Sequence, residues 1–179
     1  MTLKTLQTLS KIGKVFSIIV FIFCIIGAVG CVLGIIGLAF IPEGFKIGDV
    51  TIKGLVEKGD LNTQTCYAAM SCGIIMCAAE AVLAKFAERY FKNEIKAGTP
   101  FTFDGAKELT RLGILAICIP IGASILAGIC YGIFKVIMKD VAELPFHDGG
   151  SVGLGVMMLV AGLLCKLGAE SAEKQKEID

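Results

Sequence analysis

The sequence is poor in the residues that build metal centres and nucleic-acid surfaces. Its single histidine, His147, excludes a metal site made of several histidines. The formal net charge is +1, so no basic surface dominates, which argues against a nucleic-acid binder. The sequence has no Cys-x-x-Cys pair and shows no nucleophile–base pair, phosphate-binding loop or metal-ligand set. We therefore predict no catalytic, cofactor-binding or metal-binding residues.

What the sequence has in excess is apolar character. Hydrophobic residues make up 55% of the 179 residues, and 22 glycines come on top of them. A soluble domain of this length has too much surface to hide that fraction in one core. A lipid bilayer is the solvent that accommodates the excess, so we expect one integral membrane domain over residues 1–179.

Four apolar runs predict four membrane-spanning helices, since a span needs about 20 mostly apolar residues. The first run is too long for the hydrophobic region of a signal peptide, so we interpret it as a retained span. The fourth is the shortest and contains Lys166, so it needs flanking residues in order to cross. The predicted spans are residues 15–41, 66–86, 112–137 and 151–169, with an external loop at 42–65 and a cytoplasmic loop at 87–111.

The distribution of Lys and Arg predicts the orientation of the chain. Twelve of the 17 Lys and Arg residues lie in the N-terminal arm, between the second and third apolar runs, or from Lys166 onward. The other five lie on the opposite side of the predicted spans. The positive-inside rule therefore predicts that both the N-terminus and the C-terminus are cytoplasmic.

The external loop carries an alternating pattern. Apolar and polar residues alternate on both sides of Gly48-Asp49, between Phe45 and Lys53, which predicts a β-hairpin with a type II′ turn. A lone hairpin is marginal in water, so we expect it to lie on the outer ends of the helices or to pair with another chain. The predicted fold is an all-α membrane protein, a four-transmembrane-helix bundle with a small extracytoplasmic β-hairpin cap.

The segment between the second and third spans is the most patterned polar part of the sequence. We expect the second helix to end at Gly98, with Pro100 just beyond it. Phe101 can reach the headgroup level, and Asp104 is placed to cap the next helix, which carries Arg111 towards the third span. We call residues 98–104 the elbow; it either only sets the helix register or also docks a cytoplasmic partner or lipid. The basic residues around it, each worth about 1 kcal/mol towards anionic headgroups, are Lys92, Lys96, Lys107 and Arg111.

The same segment carries a family resemblance. Lys-Ala-Gly-Thr-Pro-Phe-Thr at 96–102, followed by Leu-Thr-Arg-Leu-Gly at 109–113, resembles the signature of the YoaS-like family of bacterial four-span membrane proteins, domain of unknown function 2975. The order of spans and the external loop also resemble that family, whereas the tail from Glu170 to Asp179 has mixed charge where members are often acidic. The resemblance implies a four-span fold in a bacterial plasma membrane, and no active site.

Glu80 is the one acidic residue inside an apolar run. A charge within a span is costly and is by default a functional candidate. Glu80 nevertheless precedes Lys85 by only five residues, which places it within a turn or two of the cytoplasmic surface. Two interpretations stay open: a structural carboxylate satisfied by Lys85, Arg89 or Lys166, and a proton or cation site.

Small residues and cysteines in the spans allow further interpretations. The spacing of Gly30/Gly34 and of Gly128/Gly132 lets helices approach closely, either within the molecule or at a dimer face. Most of the eight cysteines lie in apolar runs, where a free cysteine behaves as a small hydrophobe. An enzymatic thiol pair would need two reactive cysteines within disulfide reach. The pairs considered for this are Cys31 with Cys66, both towards the outer leaflet, and Cys72 with Cys77.

These features favour a non-enzymatic accessory, sensing or protective membrane protein. The alternatives are a homo-oligomeric channel or small transporter, which needs polar residues along a shared interface, and a membrane thiol oxidoreductase. The expected partners are the lipid bilayer with its anionic headgroups, further copies of the chain, or a membrane or cytoplasmic protein, and neither nucleic acid nor a cofactor. The candidate functional residues are Glu80, Lys92, Lys96, Gly98, Pro100, Phe101, Asp104 and Arg111.

Overall fold

A computed structural model of the chain describes residues 3–40, 46–47, 50–51, 62–98, 102–138, 141–142 and 149–176. The helical class predicted from the apolar runs is confirmed within these residues. The elements, in chain order, are α1 (Leu3–Phe40), β1 (Lys46–Ile47), β2 (Val50–Thr51), α2 (Thr63–Ala97), α3 (Phe103–Ile137) and α4 (Gly149–Lys176).

Of the helices in the described part of the chain, three are long and apolar enough to cross a membrane, namely α1, α2 and α3. The prediction of a fourth span is not confirmed. The helix itself forms, as α4, but its described residues are not apolar enough to count as a span. The physical reason is that its apolar run is short, with glycines at its beginning and charged residues from Lys166 onward.

The predicted hairpin cap is not supported. β1 and β2 pair antiparallel, with Ile47 opposite Val50 and Lys46 opposite Thr51. The pairing contains two residues on each strand, which is too short to form a stable cap by itself. Most of the loop 42–65 lies outside the described residues.

The chain divides into two compact units. Unit 1 combines Met1–Ile22, Glu80–Ile121 and Asp148–Asp179, and unit 2 combines Phe23–Ala79 and Gly122–His147. In each unit, helices approach closely where one of them carries a glycine.

In unit 1, α3 and α4 approach each other closely. Steps of three and four residues forward along α3 match the same steps backward along α4, so the two helices pack antiparallel. At Gly162 a Cβ would lie 3.1 Å from a backbone nitrogen of α3, so there is no room for a side chain there. The contacts are Gly113 with Leu159, Gly155 with Ile117, and Gly162 with Thr110.

The buried core of unit 1 is centred on Tyr90, Leu109 and Leu112. The Tyr90 ring meets the Phe91 ring edge to face, with centroids 5.3 Å apart. Phe91 in turn lies against the backbone of Gly13 in α1, where a Cβ would be 2.6 Å from the ring. The core is completed by partly buried Phe86, Ala87, Phe91, Met158, Ala161 and Cys165.

Unit 2 repeats the glycine packing between α1 and α2. Gly34 packs against the Met70 side chain, so this glycine serves contacts within the molecule. At Gly30, Gly128 and Gly132, by contrast, a Cβ would meet nothing within 4 Å among the described residues. Of the four glycines with close-packing spacing, three therefore lie at open surface. The two remaining contacts of this kind are Gly27 with the Cys77 sulfur and Gly73 with the Cys31 sulfur.

In unit 2, two side-chain hydrogen bonds also hold Ala142, which follows α3 in the chain. The buried Thr65 accepts a hydrogen bond from the Ala142 N–H at 2.9 Å, and the Tyr131 hydroxyl donates to the Ala142 carbonyl oxygen at 2.8 Å. Both polar groups of Ala142 are therefore satisfied by side chains, as a backbone outside regular structure requires.

Candidate functional site

The elbow begins where α2 ends, and the helix stop at Gly98 is the one predicted from the sequence. α2 ends at Ala97, and Gly98 has a φ of +75°, in the left-handed region that favours glycine. The Gly98 N–H donates to the Glu94 carbonyl oxygen at 3.0 Å, which is the bond of an αL helix stop. A Cβ at Gly98 would meet only Gln7, at 3.8 Å, so the backbone conformation rather than lack of space requires glycine here.

The start of α3 corrects the predicted cap. Thr102, not Asp104, is the N-cap residue, because its side-chain oxygen accepts a hydrogen bond from the Gly105 N–H at 3.0 Å. The Thr102 carbonyl oxygen accepts the first helical bond, from Ala106, at 2.9 Å. Asp104 is exposed in the first turn of the helix, where the helix dipole favours a negative charge.

A side-chain hydrogen bond joins the two helices beside the elbow. The Asn93 amide nitrogen of α2 donates to a Glu108 carboxylate oxygen of α3 at 2.7 Å, and both groups are partly buried. A charge-assisted hydrogen bond of this length is among the stronger ones in proteins. The helix ends on either side of the elbow are therefore held by three contacts: the αL stop, the Thr102 cap and this bond.

A half-buried carboxylate lies on the inner side of the last turns of α2. The hydroxyls of Ser10 and Tyr90 donate hydrogen bonds to Glu94, and both residues are buried. Glu94 is about 15 Å along the helix from Ala84, where the second apolar run ends, and so lies outside the predicted span 66–86. Burial raises the pKa of Glu94 above its usual value, and the two hydrogen bonds only partly oppose this. The site thus joins α1 to α2 through one carboxyl group.

A small cavity, an open groove and a depression lie around these groups. A cavity of about 60 Å³ is lined by Arg89, Tyr90, Glu108 and Arg111 with apolar neighbours. An apolar groove of about 380 Å³ lies beside it and shares two of its lining residues. A depression of about 590 Å³ at the elbow is lined by charged and polar side chains, among them Asn93, Glu94, Lys96, Thr102, Asp104 and Lys107.

The structure brings some of the predicted site residues together and separates others. Lys96 and Asp104 line the same depression, and Arg111 lines the small cavity. Lys92 is exposed on the outer face of α2, and so is Glu80 nearer its middle. Pro100 and Phe101 lie outside the described residues.

Two of the three partners suggested for Glu80 have other contacts. The Lys85 ammonium donates to a Glu88 oxygen at 2.7 Å, and Lys166 lies 4.0 Å from Glu170. Both charges therefore have a carboxylate partner within their own helix. The structural and the functional interpretation of Glu80 both stay predictions.

The cysteines show contacts typical of packing. None of the eight forms a disulfide, so the suggested bond between Cys31 and Cys66 is absent. Cys72 donates from its sulfur to the Ala127 carbonyl oxygen at 3.4 Å, and Cys77 packs against Gly27. Within the described residues, no three His, Cys, Asp or Glu side chains are grouped so that they could hold a metal ion.

Sequence reasoning missed four residues of this site: Ser10, Asn93, Glu94 and Thr102. Two of them had a local signal. Tyr90 and Glu94 are four residues apart, the spacing of neighbours on one helix face, and Thr102 directly precedes a helix, as N-caps do. Ser10 and Asn93 meet partners on other helices, which no local pattern reveals.

Comparisons with known proteins return no relative for this arrangement: no family model, no curated protein sequence and no solved structure matches the chain. Membership of the YoaS-like family therefore stays a prediction from residues 96–113.

Proposed function

We propose that this chain is a protein of the bacterial cytoplasmic membrane that crosses the bilayer four times, with both termini cytoplasmic, as in the YoaS-like family it resembles. Exposed apolar surface supports the proposal. Only 6% of the most apolar stretch of α1 is buried, so its side chains need an apolar solvent. α4 packs along α3 and adds an outward apolar face that supports a fourth crossing, formed by Val156, Met157, Val160, Leu163, Leu164 and Leu167.

As to activity, the proposal is a non-enzymatic accessory, sensing or protective protein that docks a cytoplasmic partner at the elbow. The observation that carries it is that the helix ends beside the elbow are held by hydrogen bonds while surface charges next to them are exposed. Three hydrogen bonds hold the ends of α2 and α3 at the elbow: the helix stop at Gly98, the Thr102 cap and the bond from Asn93 to Glu108. Lys92 and Lys96 are exposed nearby. A surface ordered before binding loses less entropy when a partner docks, so such a site favours recognition.

Cysteine labelling tests the membrane part of the proposal. In a cysteine-free background, Lys96→Cys and Lys174→Cys should resist a membrane-impermeant thiol reagent in intact cells, and Asp49→Cys should react. After the cells are opened, all three should react. Reaction at position 96 from outside intact cells would refute the orientation.

Charge reversal tests the docking part. Lys92→Glu with Lys96→Glu should leave folding and membrane level unchanged, because both side chains are exposed, but should fail to complement a strain that lacks the protein. Lys135→Glu with Lys166→Glu makes the same change of charge at exposed positions away from the elbow and should complement. If the elbow variant complements as well as wild type, the elbow is structural only.

A homo-oligomeric channel is the second candidate, and one observation favours it. A Cβ at Gly122, Gly128 or Gly132 of α3 would meet nothing within 4 Å in the described part of the chain, although this spacing suits close helix packing. Crosslinking through a cysteine placed at 128 or 132 should trap dimers in membranes if a second copy packs there. A purely monomeric pattern at both positions would remove this candidate.

A further inference from the structure

The apolar groove and the small cavity adjoin on α2 and share Phe86 and Arg89. The groove takes its other walls from Phe21 of α1 and from Ala81 and Val82 of α2. Its surface is mostly apolar, and along α2 its charged residues Lys85 and Arg89 follow its apolar residues Ala81 and Val82, which gives the groove a charged end. A groove with this division suits an amphiphile rather than a polar solute or a hydrocarbon.

The cavity supplies positive charge from two helices. Arg89 of α2 and Arg111 of α3 both line it, against the single carboxylate of Glu108, which is already hydrogen-bonded to Asn93. Both arginines are exposed, and no hydrogen bond or ion pair of the described residues involves either of them. Their donors are therefore available to an anion.

Further cations lie near Lys85, at the charged end of the groove. The Lys85 ammonium stands 4.8 Å from the centroid of the Phe21 ring, at the charged end of the groove. The hydrogen bond from Lys85, with the added charge of Lys14 and Lys92, lowers the pKa of Glu88 below its usual value. The positive charge around Lys85 is thus strong enough to stabilise the charged form of the Glu88 carboxylate.

The depth of these residues matches that of a lipid headgroup. Lys85 comes directly after Ala84, the last residue of the second apolar run, and Arg111 comes directly before Leu112, the first of the third. The charged end of the groove therefore coincides with the boundary between hydrocarbon and headgroups, if the helices cross as proposed. At this level an anion with an attached acyl chain is abundant.

We propose that this site binds one anionic phospholipid, with its phosphate between Arg89 and Arg111 and one acyl chain in the groove along Phe21 and Val82. Arginine suits the phosphate because its planar guanidinium donates two parallel hydrogen bonds. The inference rests on the membrane embedding proposed above and adds to it a defined site and a ligand class.

A tryptophan in the groove gives a direct test, because the natural sequence has none. The variant Phe21→Trp is reconstituted in phosphatidylcholine vesicles that contain a small fraction of brominated phosphatidylglycerol, which quenches tryptophan on contact. Its matched control is Phe23→Trp, on the same helix at a residue that is 69% exposed. At position 21, brominated phosphatidylglycerol should quench more strongly than brominated phosphatidylcholine at equal fraction. At position 23, the two brominated lipids should quench equally.

Removing the arginines should abolish this preference. At about 1 kcal/mol for each charge near the surface, Arg89→Gln with Arg111→Gln should lower the relative affinity for phosphatidylglycerol about 25-fold. Lys135→Gln with Lys166→Gln removes the same charge elsewhere and should leave the affinity unchanged. Unaltered bulk quenching at position 23 shows that the arginine variant is still folded and embedded.

Three outcomes would overturn the inference. Equal quenching of Phe21→Trp by the two brominated lipids means that no anionic lipid is selected. Loss of the excess on adding millimolar inorganic phosphate means that the site takes a soluble phosphate instead. If neither tryptophan is quenched by any lipid, the membrane proposal itself fails and the lipid site fails with it, and this distinguishes the two failures.

Discussion

The close packing of α3 and α4 predicts opposite effects for the same substitution at two glycines of one helix. Alanine at Gly162 would place its Cβ 2.7 Å from the Thr110 Oγ1, 3.1 Å from its backbone nitrogen and 3.3 Å from its Cα. The hydroxyl cannot easily turn away, because it donates to the Ala106 carbonyl oxygen at 2.9 Å. At Gly153, by contrast, a Cβ would meet nothing within 4 Å in the described residues.

The expected difference in stability between the two variants follows from two opposing effects. Both variants gain helix propensity, about 1 kcal/mol for Gly to Ala. Only Gly162→Ala must push the helices apart, and overpacking of this kind costs about 1–3 kcal/mol. Because the propensity gain cancels between the two variants, Gly162→Ala should be less stable than Gly153→Ala by about 1–3 kcal/mol.

Thermal unfolding in detergent measures this difference. For a chain of this size, 1 kcal/mol moves Tm by about 2–4 °C, so the two variants should differ by several degrees, with Gly153→Ala at or above wild type. Equal Tm values for the two variants would refute the antiparallel contact between Gly162 and Thr110. Gly155→Ala, which meets Ile117, should behave like Gly162→Ala.

Three further predictions concern the elbow, the thiols and the buried carboxyl. Gly98→Ala should lower Tm because alanine at positive φ costs about 1–2 kcal/mol, and Gly98→Asn should lower Tm less because asparagine tolerates this conformation better. Equal decreases in Tm would mean that lack of space at position 98, and not its φ angle, requires glycine. Replacing all eight cysteines should leave an extractable, folded protein by gel filtration, whereas misfolding on changing Cys31 and Cys66 alone would reveal a disulfide. Glu94 has its pKa raised by burial, so the folded state binds its proton more tightly than the unfolded state, whose usual value is 4.5. The contribution of Glu94 to stability is therefore greatest below pH 4.5 and is lost as pH rises through the pKa of the folded state. Glu94→Gln should remove this pH dependence. If wild type and Glu94→Gln give the same profile of Tm against pH, this prediction is wrong.

The ends of the elbow show what a sequence can and cannot specify. The stop at Gly98 was predictable because only glycine takes a positive φ at little cost and a proline follows at once. The cap of α3 was not, because Thr102 and Asp104 are both good N-cap residues two positions apart. Which of them caps depends on where the chain leaves the turn, and that is decided by tertiary packing.

The contacts that complete the site depend on residues distant in the chain. The spacing of Gly30 and Gly34 indicated close packing, yet it does not tell which helix supplies a neighbour, and only Gly34 receives one, Met70. Likewise Asn93 and Glu108 meet only because the elbow turns the chain back. Periodicity along one helix reveals its apolar face, whereas partners depend on three-dimensional register.

The length of α1 has a consequence for the membrane in which the protein works. The apolar part of this helix, Val15 to Phe40, extends about 39 Å at 1.5 Å per residue, whereas the hydrocarbon core is about 30 Å thick. Such hydrophobic mismatch is relieved when the helix tilts or the surrounding bilayer thickens, at a cost of a fraction of a kcal/mol per Å. Because so little of this stretch is covered by the rest of the molecule, lipid carries most of that adjustment, and bilayer thickness becomes a variable to which the protein's stability responds.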